Sequence, residues 1–126
     1  MRYEQAARVC HAAIRQLREE QGGHRGPVWG LLVAEERGWY LRAVERSAAG
    51  CTPASVHRLW MTDLLADGWE PGPEIDHAKR THPDLVPWEA LDEGARRRFF
   101  LLQMMAIGLY LPVYGGVAEE SPVTAP

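Results

Sequence analysis

Trp29-Gly30-Leu31-Leu32 and Trp88-Glu89-Ala90-Leu91 repeat one Trp-x-x-Leu frame. In the register that sets Trp29 on Trp88, Arg37 meets Arg96, Tyr40 meets Phe99 and Leu41 meets Phe100. Upstream, Val9-Cys10-His11 matches Ser55-Val56-His57 in a shorter register, and Gly22 and Gly68 follow their respective histidines at the same distance. The difference between the two registers leaves additional residues in the second connecting loop. Such a pattern predicts an all-α fold of two helix–loop–helix halves related by a pseudo-two-fold axis. A long ordered loop, over about 67–90, is inserted in the second half.

Helical spacing supports each half. Ala6, Val9, Cys10, Ala13, Ile14 and Leu17 recur at the intervals that place them on one face of a first helix, which Gly22-Gly23 ends. A second helix is expected from about Leu31 to Ala49, with Leu32, Trp39, Tyr40, Ala43 and Val44 along one side and Gly50 as its stop. Thr52-Pro53 opens a third: a hydroxyl cap is followed by a residue whose missing N–H costs nothing in the first turn. That helix runs to about Ala66 and presents Val56, Leu59, Trp60 and Leu64. Between Asp67 and Trp88 the periodicity gives way to Gly68, Gly72 and Pro71, Pro73, Pro83 and Pro87, while Trp69, Ile75, Leu85, Val86 and Trp88 can pack the segment down. A fourth helix is expected over about Leu91 to Leu109, within a single domain spanning 1–111 and followed by a flexible tail over 112–126.

Bulk properties exclude several classes. A chain of 126 residues, 46% hydrophobic and 25% charged, is one globular domain. Its net charge of −3 offers no general attraction for phosphate backbones, so neither DNA nor RNA is expected as a partner. The apolar run Phe99 to Leu111 is too short to span a bilayer, and charges in Met1 to Ala13 occupy the place of a secretory h-region. A soluble protein of the reducing cytoplasm, with Cys10 and Cys51 as free thiols, is the expectation.

The segment Val56-His57-Arg58-Leu59-Trp60, followed by Asp67-Gly68-Trp69, Gly72-Pro73, Asp76, Lys79 and His82-Pro83-Asp84-Leu85-Val86-Pro87-Trp88, resembles the ryanodine-receptor repeat. The resemblance extends over about Ala54 to Tyr110, and Ala7-Arg8-Val9-Cys10-His11 with Pro27-Val28-Trp29 is similar to the leader of small stand-alone bacterial and phage versions. It implies a ligand-recognition module for nucleotide-like small molecules, sensing or sequestering a signalling nucleotide in phage defence or counter-defence. Family members usually carry an aromatic residue two positions after the loop tryptophan, where this chain has Pro71.

Individual residues point the same way. Trp69, Trp60 and Trp88 offer flat faces for a heterocycle, although Trp60 on an apolar helix face and Trp88, matched by Trp29, also suit the core. Lys79, Arg80 and His82 cluster three potential cations, as a phosphate requires, with Asp76 and Asp84 close enough to neutralise them. The expected ligand site is therefore Trp69, Gly72, Asp76, Lys79, Arg80, His82 and Trp88, in a cleft between the inserted loop and the third and fourth helices. His57, His77, His82 and Asp76 lack metal-ligand spacing, no cofactor is expected, and Arg96-Arg97-Arg98 reads as a solvated helix face. No nucleophile elbow or phosphate-cradling glycine motif is present, so binding without catalysis is expected. The competing expectation is an interaction module in which Phe99, Phe100 and the exposed part of the Phe99 to Leu111 helix form a homodimer or partner surface.

Overall fold

The computed structural model describes the backbone of residues 2–124 and the side chains of residues 3–109. Its helices are α1 (Arg2–Glu20), α2 (Ala34–Ala48), α3 (Pro53–Ala66) and α4 (Glu93–Thr124), with short 3-10 turns at Trp29–Leu31 and Trp88–Ala90. Two residue pairs, β1 (Glu70–Pro71) and β2 (Thr81–His82), form a minimal parallel ladder inside the long loop. The tail expected over 112–126 falls outside the residues described with side chains.

The duplication is visible at atomic detail. Each Trp-x-x-Leu stretch folds into a 3-10 turn, entered through Val28 at ψ 163° or Pro87 at ψ 151°. Each leucine N–H then donates to the carbonyl of its tryptophan, at 3.2 Å in both copies. Helices α2 and α4 start after these turns, not at Leu31 and Leu91 as the apolar pattern predicts. Leu32 and Leu91 instead sit on extended backbone and are almost fully buried. Behind each turn a buried histidine meets two aromatic rings. His11 lies 5.7 Å from Trp29 and 5.0 Å from Tyr40, and His57 lies 5.8 Å from Trp88 and 5.1 Å from Phe99.

The helix ends repeat as well. Gly22 and Gly68 adopt φ of 85° and 88°. This is a left-handed conformation that is unfavourable for a residue with a Cβ. Gly22 N–H donates to Glu19 and Gly23 N–H to Arg18; Gly68 N–H donates to Leu65 and Trp69 N–H to Leu64. This is the paired closure that satisfies the last helical carbonyls. Thr52 caps α3 as expected, its hydroxyl accepting from the Ser55 N–H at 3.2 Å.

Two apolar clusters form the core. The first joins Ala6, Ala7, Cys10 and Ile14 of α1 with Ala43 and Val44 of α2, Val56 of α3, and Leu102 and Ala106 of α4. The buried face of α1 is thus rotated from the expected stripe: Val9 is 44% exposed, while Ala7 and His11 turn inward. A histidine that packs against two rings takes a core position that polarity assigns to the surface. The second cluster, Trp39, Trp60, Leu64, Trp69 and Leu85, lies beneath the inserted loop and holds it to α2 and α3.

Trp60 is 9% exposed within that second cluster. Trp60→Ala is expected to cost about 3–5 kcal/mol by leaving an aromatic-sized cavity, read as a lower denaturation midpoint at unchanged slope. A loss below about 1 kcal/mol would show that the cluster does not hold the loop.

Candidate functional site

Helical spacing continues the core stripes into a cleft. On α1, Ala7, His11 and Ile14 lead to Arg18; on α4, Ala95 and Leu102 flank Arg98 at the intervals of one face. Both arginines line a cavity with Ile14, Trp39, Tyr40, Trp60, Phe99 and Leu102, with His82 and Asp84 contributed by the inserted loop. Glu36, Arg42 and Arg46 of α2 complete its charged edge. Trp60 comes from α3, so the cleft is bounded by all four helices as well as the loop: the expected walls from the loop, α3 and α4 are joined by α1 and α2.

Its charges are set by burial on one side and pairing on the other. Arg98 Nη1 donates to Gln21 Oε1 at 2.7 Å and Nη2 stands 3.7 Å from Asp84 Oδ2. Burial and then the neighbouring Arg18 lower the Arg98 pKa. Burial raises that of Asp84, with Arg98 opposing. Arg18 Nε is buried and has no hydrogen-bond partner among the described residues. A buried donor left unpaired costs roughly 1–3 kcal/mol, so this atom is a natural acceptor-binding point. Arg46 and Arg42 lean toward Asp63, at 2.9 and 3.9 Å.

The seven residues expected at the site have dispersed roles. His82 alone lines the cleft. It is 5% exposed, and burial, reinforced by Arg18, lowers its pKa to about 3. It is consequently a neutral ring at physiological pH and not a third cation; its Nδ1 accepts the Asp84 N–H at 3.0 Å. Arg80 pairs with Asp67 at 2.8 Å and approaches Glu35 at 3.8 Å, with its guanidinium 5.9 Å from the Trp69 ring centroid. Lys79 is exposed. Asp76 Oδ1 accepts the N–H groups of Ala78 and Lys79, fixing the turn before them.

Gly72 serves the ladder. A Cβ there would stand 2.5 Å from Thr81 Cβ, closer than two strands can tolerate without a backbone shift. Trp69 is 2% exposed, packed edge-on against Trp39 at 5.2 Å, so neither of its faces is open to a ligand. Trp88 packs with His57, Phe99 and Phe100 and does not line the cleft.

The residues missed by sequence reasoning are Arg18, Arg98, Trp39 and Glu36. Arg98 corrects the reading of Arg96-Arg97-Arg98 as solvated: Arg97 makes an exposed helical pair with Glu93 at 3.1 Å, whereas the Arg98 side chain is 21% exposed. The available signal was its position three residues after Ala95 and four before Leu102.

A family model described as the RyR domain matches residues 41–108, more than half of the chain. The chain belongs to the RyR domain family. The matched span of this RyR domain begins within α2 and takes in α3, the inserted loop and the start of α4, and so contains Arg98, His82 and Asp84 but not Arg18. No solved structure matches it. Among the described residues, no group of acidic, histidine or cysteine side chains is arranged to hold a metal, and no helix is long and apolar enough to cross a membrane.

Two neutral buried histidines give the RyR domain a definite pH response. His82 titrates near 3 and His11 near 4, the latter lowered by burial and then by Arg15 and Arg18. The unfolded chain binds these protons near pH 6.5. Their stabilising effect is complete above that value and is lost as the pH falls from about 6.5 toward 4 for His11 and toward 3 for His82, by up to about 1.4 kcal/mol per pH unit for each histidine. Asp84, with its raised pKa, acts in the opposite sense just above its unfolded value of 3.8. Urea denaturation at pH 7.5, 6.0 and 5.0 should give successively lower stability, and His82→Gln should flatten the profile.

Proposed function

We propose that this RyR domain is a recognition module that binds a small, phosphate-bearing, nucleotide-like ligand in the cleft between the four helices and the inserted loop, without chemical conversion. The observation that carries the proposal is the unpaired, buried Nε of Arg18 beside Arg98, in the wall of the same cavity as Trp39, Trp60 and Phe99. Guanidinium groups match phosphate with two-point, charge-assisted hydrogen bonds, and the aromatic wall suits a planar heterocycle. The phosphate position thus moves from Lys79 and Arg80 to Arg18 and Arg98. Sensing and sequestration of a signalling nucleotide, the roles implied by the resemblance to phage and bacterial members, both require this binding step.

A second reading, association through α4, is favoured by Phe100 and Met104, which are 50% and 69% exposed one helical turn apart. It predicts a dimer by sedimentation that Met104→Glu disperses.

The cleft is tested by thermal-shift screening of nucleotides followed by calorimetric titration. A ligand at a hundred times its Kd stabilises the fold by about 2.7 kcal/mol. Arg18→Gln should weaken binding by about 1.5–3 kcal/mol, the value of a hydrogen bond to a charged group. Lys79→Ala, on the exposed loop, should leave affinity within about twofold. Reversal of that order would return the phosphate to the loop.

A further inference from the structure

The arginine wall has two sides. Arg18, His82, Asp84 and Arg98 line the aromatic cavity and also a second cavity, which is otherwise formed by Gln21, Gly23, His24, Ile75, Pro83, Asp92 and Gly94. Their characters differ sharply. The first, about 80 Å³, is walled by Trp39, Tyr40, Trp60 and Phe99; the second, about 330 Å³, has no aromatic wall and mixes the polar side chains of Gln21, His24 and Asp92 with Ile75, Pro83 and glycine backbone. Gln21 braces the junction, its Oε1 accepting from Arg98 Nη1 at 2.7 Å and its Nε2 donating to the Gly94 carbonyl at 3.1 Å. Gly94 gives Gln21 and Asp92 room to approach the backbone, since a Cβ would stand 3.3 Å from Asp92 Oδ1 and 3.4 Å from Gln21 Nε2.

We infer that the ligand is two-headed: a planar ring in the aromatic cavity, one or two phosphates at Arg18 and Arg98, and a hydroxyl-rich group such as a pentose or hexose in the polar cavity. This rests on the reading of the cleft as a phosphate site and adds the second substituent. Phosphate is the only one of the three parts that needs cations, and the cations stand where the cavities meet. Asp92, whose Oδ1 accepts the Ala95 N–H, lines the polar cavity and not the aromatic one. Its carboxylate can also accept from a hydroxyl group and disfavours a second anion there, so a sugar diol suits that side better than a terminal phosphate. A nucleoside diphosphate sugar has this order of parts; a nucleoside monophosphate fills only half of it.

The test compares matched probes by calorimetric titration of the full chain: AMP with ADP-ribose, GMP with GDP-mannose, and UMP with UDP-glucose. At least one two-headed probe is expected to bind tenfold or more tightly than its monophosphate. Ile75→Trp, which fills only the polar cavity, should erase that advantage and leave monophosphate affinity within twofold. His24→Ala, an exposed position on the same side, should reduce it without affecting the fold. Equal affinity of both members of every pair, with Arg18→Gln still weakening them, would overturn the two-headed ligand while the phosphate site stands. An advantage that survives Ile75→Trp would likewise remove the second substituent from this cavity. Failure of all six probes to bind would overturn both readings.

Discussion

The indole of Trp39 is the contact on which the arrangement of the second half depends. It meets Trp60 at 5.9 Å and Trp69 at 5.2 Å edge-on, stacks on His77 at 5.5 Å with a 17° tilt, and reaches His82 at 5.8 Å. One α2 side chain thereby joins α3, the start of the inserted loop and both of its histidines. A loop with only two-residue strands has too few backbone hydrogen bonds to order itself, so its position is set by burial of these rings. Polar contacts then fix the orientation: His77 bridges Glu35 and Glu36 at 3.4 and 2.9 Å, and Arg80 reaches Asp67. His82 and Asp84 acquire defined places in the cleft wall only because this packing holds the chain on either side of them.

Much of the frame was legible because it is written in local rules. The Thr52-Pro53 start of α3, the glycine ends at Gly22 and Gly68, and the paired Trp-x-x-Leu turns each follow from backbone constraints that act over a few residues. The match of His11 with His57 also had a physical basis, since each fills the same space between two aromatic rings. The start of α2 was misplaced because Leu32 is as apolar as a helical core residue, yet it is buried from extended backbone after a 3-10 turn. Hydrophobicity reports burial and is silent about which backbone delivers it.

The cleft was less legible for a related reason. Arg18 and Arg98 lie on core-facing stripes, but charge suggests solvent, and their long apolar stems allow the two facts to coexist. Lys79, Arg80 and His82 are neighbours in sequence, and that proximity made them look convergent. Their environments separate them: Lys79 is exposed, Arg80 is engaged by carboxylates, and burial keeps His82 uncharged. Trp69 illustrates the same limit, because a tryptophan between glycines reads as an open platform until its neighbours are known.

The two halves share their anchors but not the length of chain between them. From Gly22 to Trp29 the connection is short, whereas from Gly68 to Trp88 a much longer run joins an equivalent helix end to an equivalent turn. Each half therefore possesses a socket with the same two fixed edges, one nearly empty and one furnished. Variation in length or content can be absorbed in such a socket without disturbing the helices around it. The first connection, which already contributes Gly23 and His24 to the polar cavity, is thus a natural recipient for grafted segments, and the fold carries a second place where new specificity can be installed.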